Sequence, residues 1–178
     1  MTNLDLLCDF VNSVELEAGK DDLADARGLV RWLSAHGLAG ARSRATDADA
    51  AEVRAVREAL RELMRANNDV AADRSAAAAI LDAASRRAGL AVRFDAGSVR
   101  LVPRERGVHG ALGAVLAAAA YAMADGSWPR VKACRSDTCR WAFVDNARNR
   151  SRQWCSMSVC GNRQKARTFR RRHGAGGA

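Results

Sequence analysis

Apolar side chains recur every three or four residues along most of the first two thirds of the chain, the period of helices with one buried face. Leu4, Leu7, Cys8, Val11 and Val14 predict a first helix over Leu4–Glu17. Leu29, Val30, Trp32 and Leu33 predict a second within Leu23–Ala39, with Gly37 as its stop. Val53, Val56, Leu60, Leu63 and Met64 form the stripe of a third helix that opens at Thr46, whose hydroxyl can accept a free amide of the first turn. Glu58, Arg61 and Glu62 read as its exposed neighbours. Asp73 or Ser75 caps a fourth helix ending near Gly89. The period then shortens. Val92, Phe94, Val99, Leu101 and Val102 flank Asp95-Ala96-Gly97-Ser98, which predicts the one hairpin of this region. Gly110–Met123 returns to helix, and its small residues allow close approach, which makes it the expected central helix. Asp125-Gly126-Ser127-Trp128-Pro129 ends it. The fold class expected is mainly α, with a helical domain over residues 1–128 and a small module over 129–178.

Charge divides the chain at the same place. The formal net charge is +9, yet from Arg130 onward 13 Lys and Arg stand against 2 Asp and Glu, and before it 16 stand against 18. A nearly neutral body with a strongly basic end points to a polyanionic partner for that end alone. The cations are 26 Arg and 3 Lys, a bias that genome composition can produce, so their placement carries the inference. Asp5 and Asp9 interrupt the apolar residues of the opening, and no basic segment precedes them, so no secretory signal is expected. The longest small-and-apolar run, Ala111–Ala124, falls short of the ~20 residues of a bilayer span. A cytoplasmic protein with reduced thiols and no membrane partner is therefore expected.

Four of the five cysteines, Cys134, Cys139, Cys155 and Cys160, follow the spacing C-x4-C-x15-C-x4-C. Two close pairs separated by a loop supply the tetrahedral donors of one structural Zn²⁺. An all-thiolate set leaves no position for water, so hydrolytic metal chemistry is not expected. His36, His109 and His173 are scattered without a nucleophile beside them, and no phosphate loop or dinucleotide fingerprint occurs, so the chain does not read as an enzyme. Cys8 reads as a small core residue. Arg140–Val144 is the expected strand of the module and Arg152–Trp154 its return, followed by a helix from Gly161 or Asn162. That order resembles a treble-clef zinc finger. So small a module leans on its metal to fold, and loss of one cysteine is expected to unfold it and spare the body. On the last helix Arg163, Arg167 and Arg170 share a face that Lys165, Arg171 and Arg172 broaden; Arg148, Arg150 and Arg152 lie on the preceding loop. These are the candidate nucleic-acid contacts. Trp141, Phe143 and Trp154 read as core residues before base-stacking ones. Asp9 and Asn12, three apart on the first helix, are candidates to line a pocket for a small-molecule effector, or to hydrogen-bond within the fold. The small-residue tail from Gly174 predicts coil.

Cys160-Gly161-Asn162-Arg163, within Trp154–Arg167, resembles the signature of the CGNR zinc-finger family, and Leu7-Cys8-Asp9-Phe10-Val11-Asn12-Ser13 is similar to the opening of its N-terminal ABATE domain. The resemblance implies four cysteine ligands, Asn162 and Arg163 as motif residues, and a protein described as a candidate stress-induced transcription regulator or RNA-binding protein. Three classes follow. The first, which is favoured, is a DNA-binding regulator whose body senses an effector or forms a homodimer. The second is an RNA-binding, ribosome-associated protein, and the third a zinc or redox module for protein interaction.

Overall fold

Side-chain caps set where the helices of the body begin. In the computed structural model, which describes residues 2–40 and 43–174, Thr2 and Asp5 cap one another at the start of α1 (Asn3–Val11). Asp25 caps α2 (Ala26–Ala35), Thr46 with Asp49 caps α3 (Asp47–Ala66), and Asp73 caps α4 (Arg74–Arg87). Each cap accepts an amide that the first turn leaves without a partner. The expected hairpin forms as β3 (Ala91–Asp95) and β4 (Ser98–Val102), with Gly97 at φ +87° in its turn. Helix α5 (Gly107–Ala124) follows, then β5 (Val131–Ala133), β6 (Ala142–Val144) and α6 (Asn162–Gly174). The sequence predicts coil from Gly174, but that residue still closes α6, and 175–178 lie outside the described residues.

The first helix is shorter than its pattern predicts. It ends at Val11, and the chain turns into a small second hairpin of β1 (Val14–Glu15) and β2 (Lys20–Asp21). Asn12 is the reason. Its backbone N–H closes the helix on Cys8, while its side-chain amide pairs with both backbone groups of Ala142, at 2.9 and 2.7 Å. A residue held this way cannot continue the helix, so Val14 reaches the core from a strand.

Helix α5 is the central helix. Its 18 residues are long and apolar enough, by length and composition, to cross a membrane, but most are buried inside the fold, Leu112, Val115 and Leu116 among them. It begins earlier than predicted, so His109 is helical rather than in a loop, and faces Glu52 at 3.6 Å. At Gly113 a Cβ would come within 2.6 Å of Pro103 and 3.0 Å of Ala88, so the close packing of α5 depends on that glycine.

One core runs through the chain. Leu7, Phe10, Leu29, Val53, Leu60, Met64 and Val115 share it with Val131, Ala133 and Ala142 of β5 and β6. Cys8 is half-buried against the same core. Helix α3 departs most from its pattern, because Arg57 and Arg61 are 4% and 1% exposed. Arg57 donates to both carboxylate oxygens of Asp21, at 2.7 and 2.9 Å, and Arg61 to the carbonyls of Val11 (2.6 Å) and Arg140 (2.7 Å). Glu58 lies between them and accepts from both. A buried guanidinium must have its donors satisfied and its charge paired. Arg61→Ala should therefore lower the unfolding free energy by about 3 kcal/mol, measured by denaturant melts. Arg86→Ala, at an exposed pair with Asp82, should leave the midpoint where it is.

Candidate metal centre and nucleic-acid interface

Strands β5 and β6 pair antiparallel, Val131 opposite Val144 and Ala133 opposite Ala142. The first cysteine pair sits in the turn between them. The amide of Cys134 reaches the carbonyl of Trp141 at 2.9 Å, and those of Cys139 and Arg140 reach Ser136 at 3.0 Å. Of the second pair, Cys155 precedes a π-helical turn, Met157–Gly161, capped by Ser156, and Cys160 lies within that turn, which runs directly into α6. The return strand expected at Arg152–Trp154 is therefore not the partner of β6; Val131–Ala133, upstream of the first cysteine, takes that place. The intervening loop is organised by a buried ion pair instead. Asp145, fully buried, accepts from Lys132 Nζ (2.8 Å) and from the amides of Ala147 and Arg152 (3.0 Å each), while Lys132 also donates to the carbonyl of Arg150. Burial works to raise the carboxyl pKa of Asp145, and the hydrogen bond from Lys132 with those amides outweighs it, holding the group below the usual range.

The four thiol sulfurs lie within 4.8 Å of one another, with Cys139 to Cys155 at 3.5 Å and Cys155 to Cys160 at 3.7 Å. Four donors about 2.3 Å from one Zn²⁺ stand about 3.8 Å apart at the corners of a tetrahedron, so the set fits one structural zinc ion. Its electrostatics ask for a cation. The hydrogen bond from Cys139 favours the Cys134 thiolate, whose pKa falls to about 5, and that same contact pushes Cys139 up. Burial, with the neighbouring charge, raises Cys155 to about 12. Four thiolates at this separation need a dication to coexist.

The candidate nucleic-acid contacts divide. Lys165, Arg167, Arg170 and Arg171 are exposed on α6, and Arg148 and Arg150 are exposed on the loop. Arg152 is turned inward: it donates to the carbonyls of Trp154 and Cys155, and its guanidinium lies 4.8 Å over the Phe143 ring. It holds the metal loop rather than reaching out. The side-chain amide of Asn162 donates to the carbonyl of Ser158 at 3.2 Å and steadies the π-helical turn. Arg163 pairs with Glu17 of the β1–β2 turn. The side chain of Arg172 lies outside the described residues. Phe143 is buried and Trp154 half-buried, as core residues should be, but Trp141 is 37% exposed. His173 is helical, stacked on Phe169.

Asp9 and Asn12 both border an open cleft of about 390 Å³, shared with Arg31, Trp32, His36 and Trp141. Asn12 is committed to Ala142, whereas Asp9 is exposed there. Sequence patterns did not single out Glu17, Thr138, Asn67 or Asn68. The amide of Asn67 donates to the carbonyls of Trp128 and Val131, and that of Asn68 to Ala133 and Gln153, all at 2.8–2.9 Å. Their only signal is an adjacent pair of amides at a helix end.

Purified protein should carry about one equivalent of zinc. Because β5 and β6 lie in the common core, Cys155→Ser or chelation should lower one cooperative thermal transition of the whole chain. Far-ultraviolet circular dichroism that shows the body melting unchanged, apart from the finger, would contradict that outcome.

Comparison with known families agrees with this geometry. Residues 130–173 match the model of the CGNR zinc finger. Residues 4–126 match that of the ABATE domain, described as "Putative stress-induced transcription regulator". No curated protein matches the chain. With most of its length covered by the first part and its four thiols by the second, the chain belongs to the ABATE family and carries a CGNR zinc finger.

Proposed function

We propose that this regulator binds duplex DNA, and that the exposed cationic face of α6 contacts the phosphate backbone. The distribution of charge is the observation that supports it most. No acidic residue follows Asp145 in the chain. Lys165, Arg167, Arg170 and Arg171 are exposed, and among the described residues none has an acidic partner. Spacings of three and four keep Arg167, Arg170 and Arg171 on one side of the helix, and the turn that starts the helix is held by two of the zinc ligands. A row of guanidiniums fixed in this way can follow phosphates, and one that enters a groove can read guanine edges. The cleft beside Asp9, Trp32 and Trp141 is where a small effector would touch body and finger together. A DNA-binding role with four reduced thiols suits the cytoplasm.

A second reading has its own observation. Phe169, 62% exposed, stacks on His173 at 4.1 Å beside a groove lined by Trp154, Met157 and Lys165. An exposed aromatic pair next to cations suits unpaired bases, which favours single-stranded RNA.

The test is a titration of the full-length, zinc-loaded chain with duplex DNA and single-stranded RNA at several salt concentrations. If about five cations engage duplex phosphates, the log–log salt slope should be near −4 to −5. Arg167→Ala and Arg170→Ala should each weaken binding and reduce that slope by about 1, while Arg44→Ala on the body should change little. Preference for RNA with sensitivity to Phe169→Ala would select the second reading. Binding of neither polymer at low salt would leave the finger as a protein-interaction module.

A further inference from the structure

Arg163, the arginine of the Cys-Gly-Asn-Arg tetrad, already holds an anion. Both its terminal nitrogens face the carboxylate of Glu17, Nη1 on Oε1 and Nη2 on Oε2 at 3.4 Å. Thr138, in the first cysteine turn, donates its hydroxyl to Oε1 at 3.0 Å. The hydrogen bond from Arg163, then that from Thr138, holds the Glu17 carboxyl below its usual range, and Arg167, one helical turn further on, adds its field at the same place. A guanidinium fork and a hydroxyl that converge on two oxygens also match the oxygens of a phosphate group. The occupant is not locked in. Glu17 and Arg163 are 38% and 37% exposed at the side chain, against 0% and 6% for the Asp145 and Lys132 pair that organises the loop. An exposed pair of this kind is weak and exchanges readily.

We propose that Thr138, Arg163 and Arg167 form a seat for a phosphate group, and that Glu17 fills this seat in the free protein. The inference rests on the nucleic-acid reading above in one respect only, that the phosphate belongs to a polymer backbone. Binding then exchanges one anion for another at Arg163, while the outer arginines of α6 gain contacts they did not have. Glu17 thereby sets a threshold: a polyanion must displace it before it can use the inner end of the helix.

The experiment uses the full-length, zinc-loaded chain. Glu17→Gln keeps an acceptor for Thr138 and removes the competing charge. It should tighten binding to a short duplex DNA at low salt by about two- to fivefold, and the gain should vanish in an Arg163→Ala background. Thr138→Val should weaken binding by both the parent and the Glu17→Gln chain. Glu15→Gln is the control, because Glu15 is exposed on the same hairpin and its side chain has no hydrogen bond or ion pair among the described residues. Equal gains from Glu15→Gln and Glu17→Gln would reduce the effect to net charge and overturn the seat. Weaker binding by Glu17→Gln would show that the pair only orients α6, and would also overturn it. A second measurement separates the two sources of phosphate. The Nε–H resonance of Arg163 is followed by NMR as inorganic phosphate is added to the Glu17→Gln chain. If neither DNA nor RNA binds but this resonance shifts, the seat stands with free phosphate as its ligand and the polymer reading falls. If the polymers bind while Glu17→Gln has no effect and the resonance does not move, the polymer reading stands and the seat falls.

Discussion

A guanidinium taken out of water fixes how the two parts of this chain meet. Arg61 is 1% exposed, and its donors end on the carbonyl of Val11, at the end of α1, and on that of Arg140, at the exit of the first cysteine turn. Glu58 supplies the balancing charge. Leaving such a group short of partners is more expensive than making any one of the bonds is favourable. The helix end, the cysteine turn and α3 are thus held in one arrangement. Asn12, Asn67 and Asn68 add amide bonds to β5, β6 and the metal loop around the same junction. The metal module is consequently part of the body's core, and a finger excised at the charge boundary would expose Val131, Ala133 and Ala142.

Much of this was legible in the sequence because much of it is periodic or chemically distinctive. Thr46 and Asp73 announced their helices, Gly97 its hairpin, and four cysteines their metal. What stayed hidden depends on partners far apart in the chain. Nothing local distinguishes Arg61 from Arg65, yet the first is sealed in and the second reaches the exposed Asp137. The end of α1 was missed because the group that draws Asn12 away lies 130 residues later. The order of apolar and polar residues predicts a return strand at Arg152–Trp154 after the polar loop, whereas Lys132 and Asp145, a lysine in a strand and an acid at a strand end, decide that loop by pairing out of solvent.

The same sorting changes how the basic end of the chain should be counted. Arg130 donates to the carbonyls of Asp145 and Ala147, Arg135 to that of Asn68, and Arg152 to those of Trp154 and Cys155. These side chains, with Lys132, serve the loop and the junction. They still contribute to the long-range field, which steers an approaching polyanion, but each commits donors to the protein's own backbone. Among the described residues the cations left exposed without an acidic partner are fewer: Lys165, Arg167, Arg170 and Arg171 on α6, and Arg148 and Arg150 of the loop. A count of charges from the sequence overstates the contact surface and understates how directional it is.

The metal site gives that surface a gradient. Four thiolates around one Zn²⁺ carry two surplus negative charges, and they sit at the start of α6. Arg163 lies within the field of Cys160 and Cys139 and is paired with Glu17 besides; Arg152 bonds to the backbone of Cys155. The cations nearest the zinc are therefore partly neutralised by the centre that holds the helix in place. Moving outward, each turn of α6 leaves those charges about 5.4 Å further behind, while screening shortens their reach at physiological salt. Attraction for a phosphate backbone consequently rises from Arg163 toward Arg167, Arg170 and Arg171. On the proposed reading, a polyanion would meet the outer half of the helix first and the motif arginine last, the order in which a long-range charge contact precedes a short-range fit.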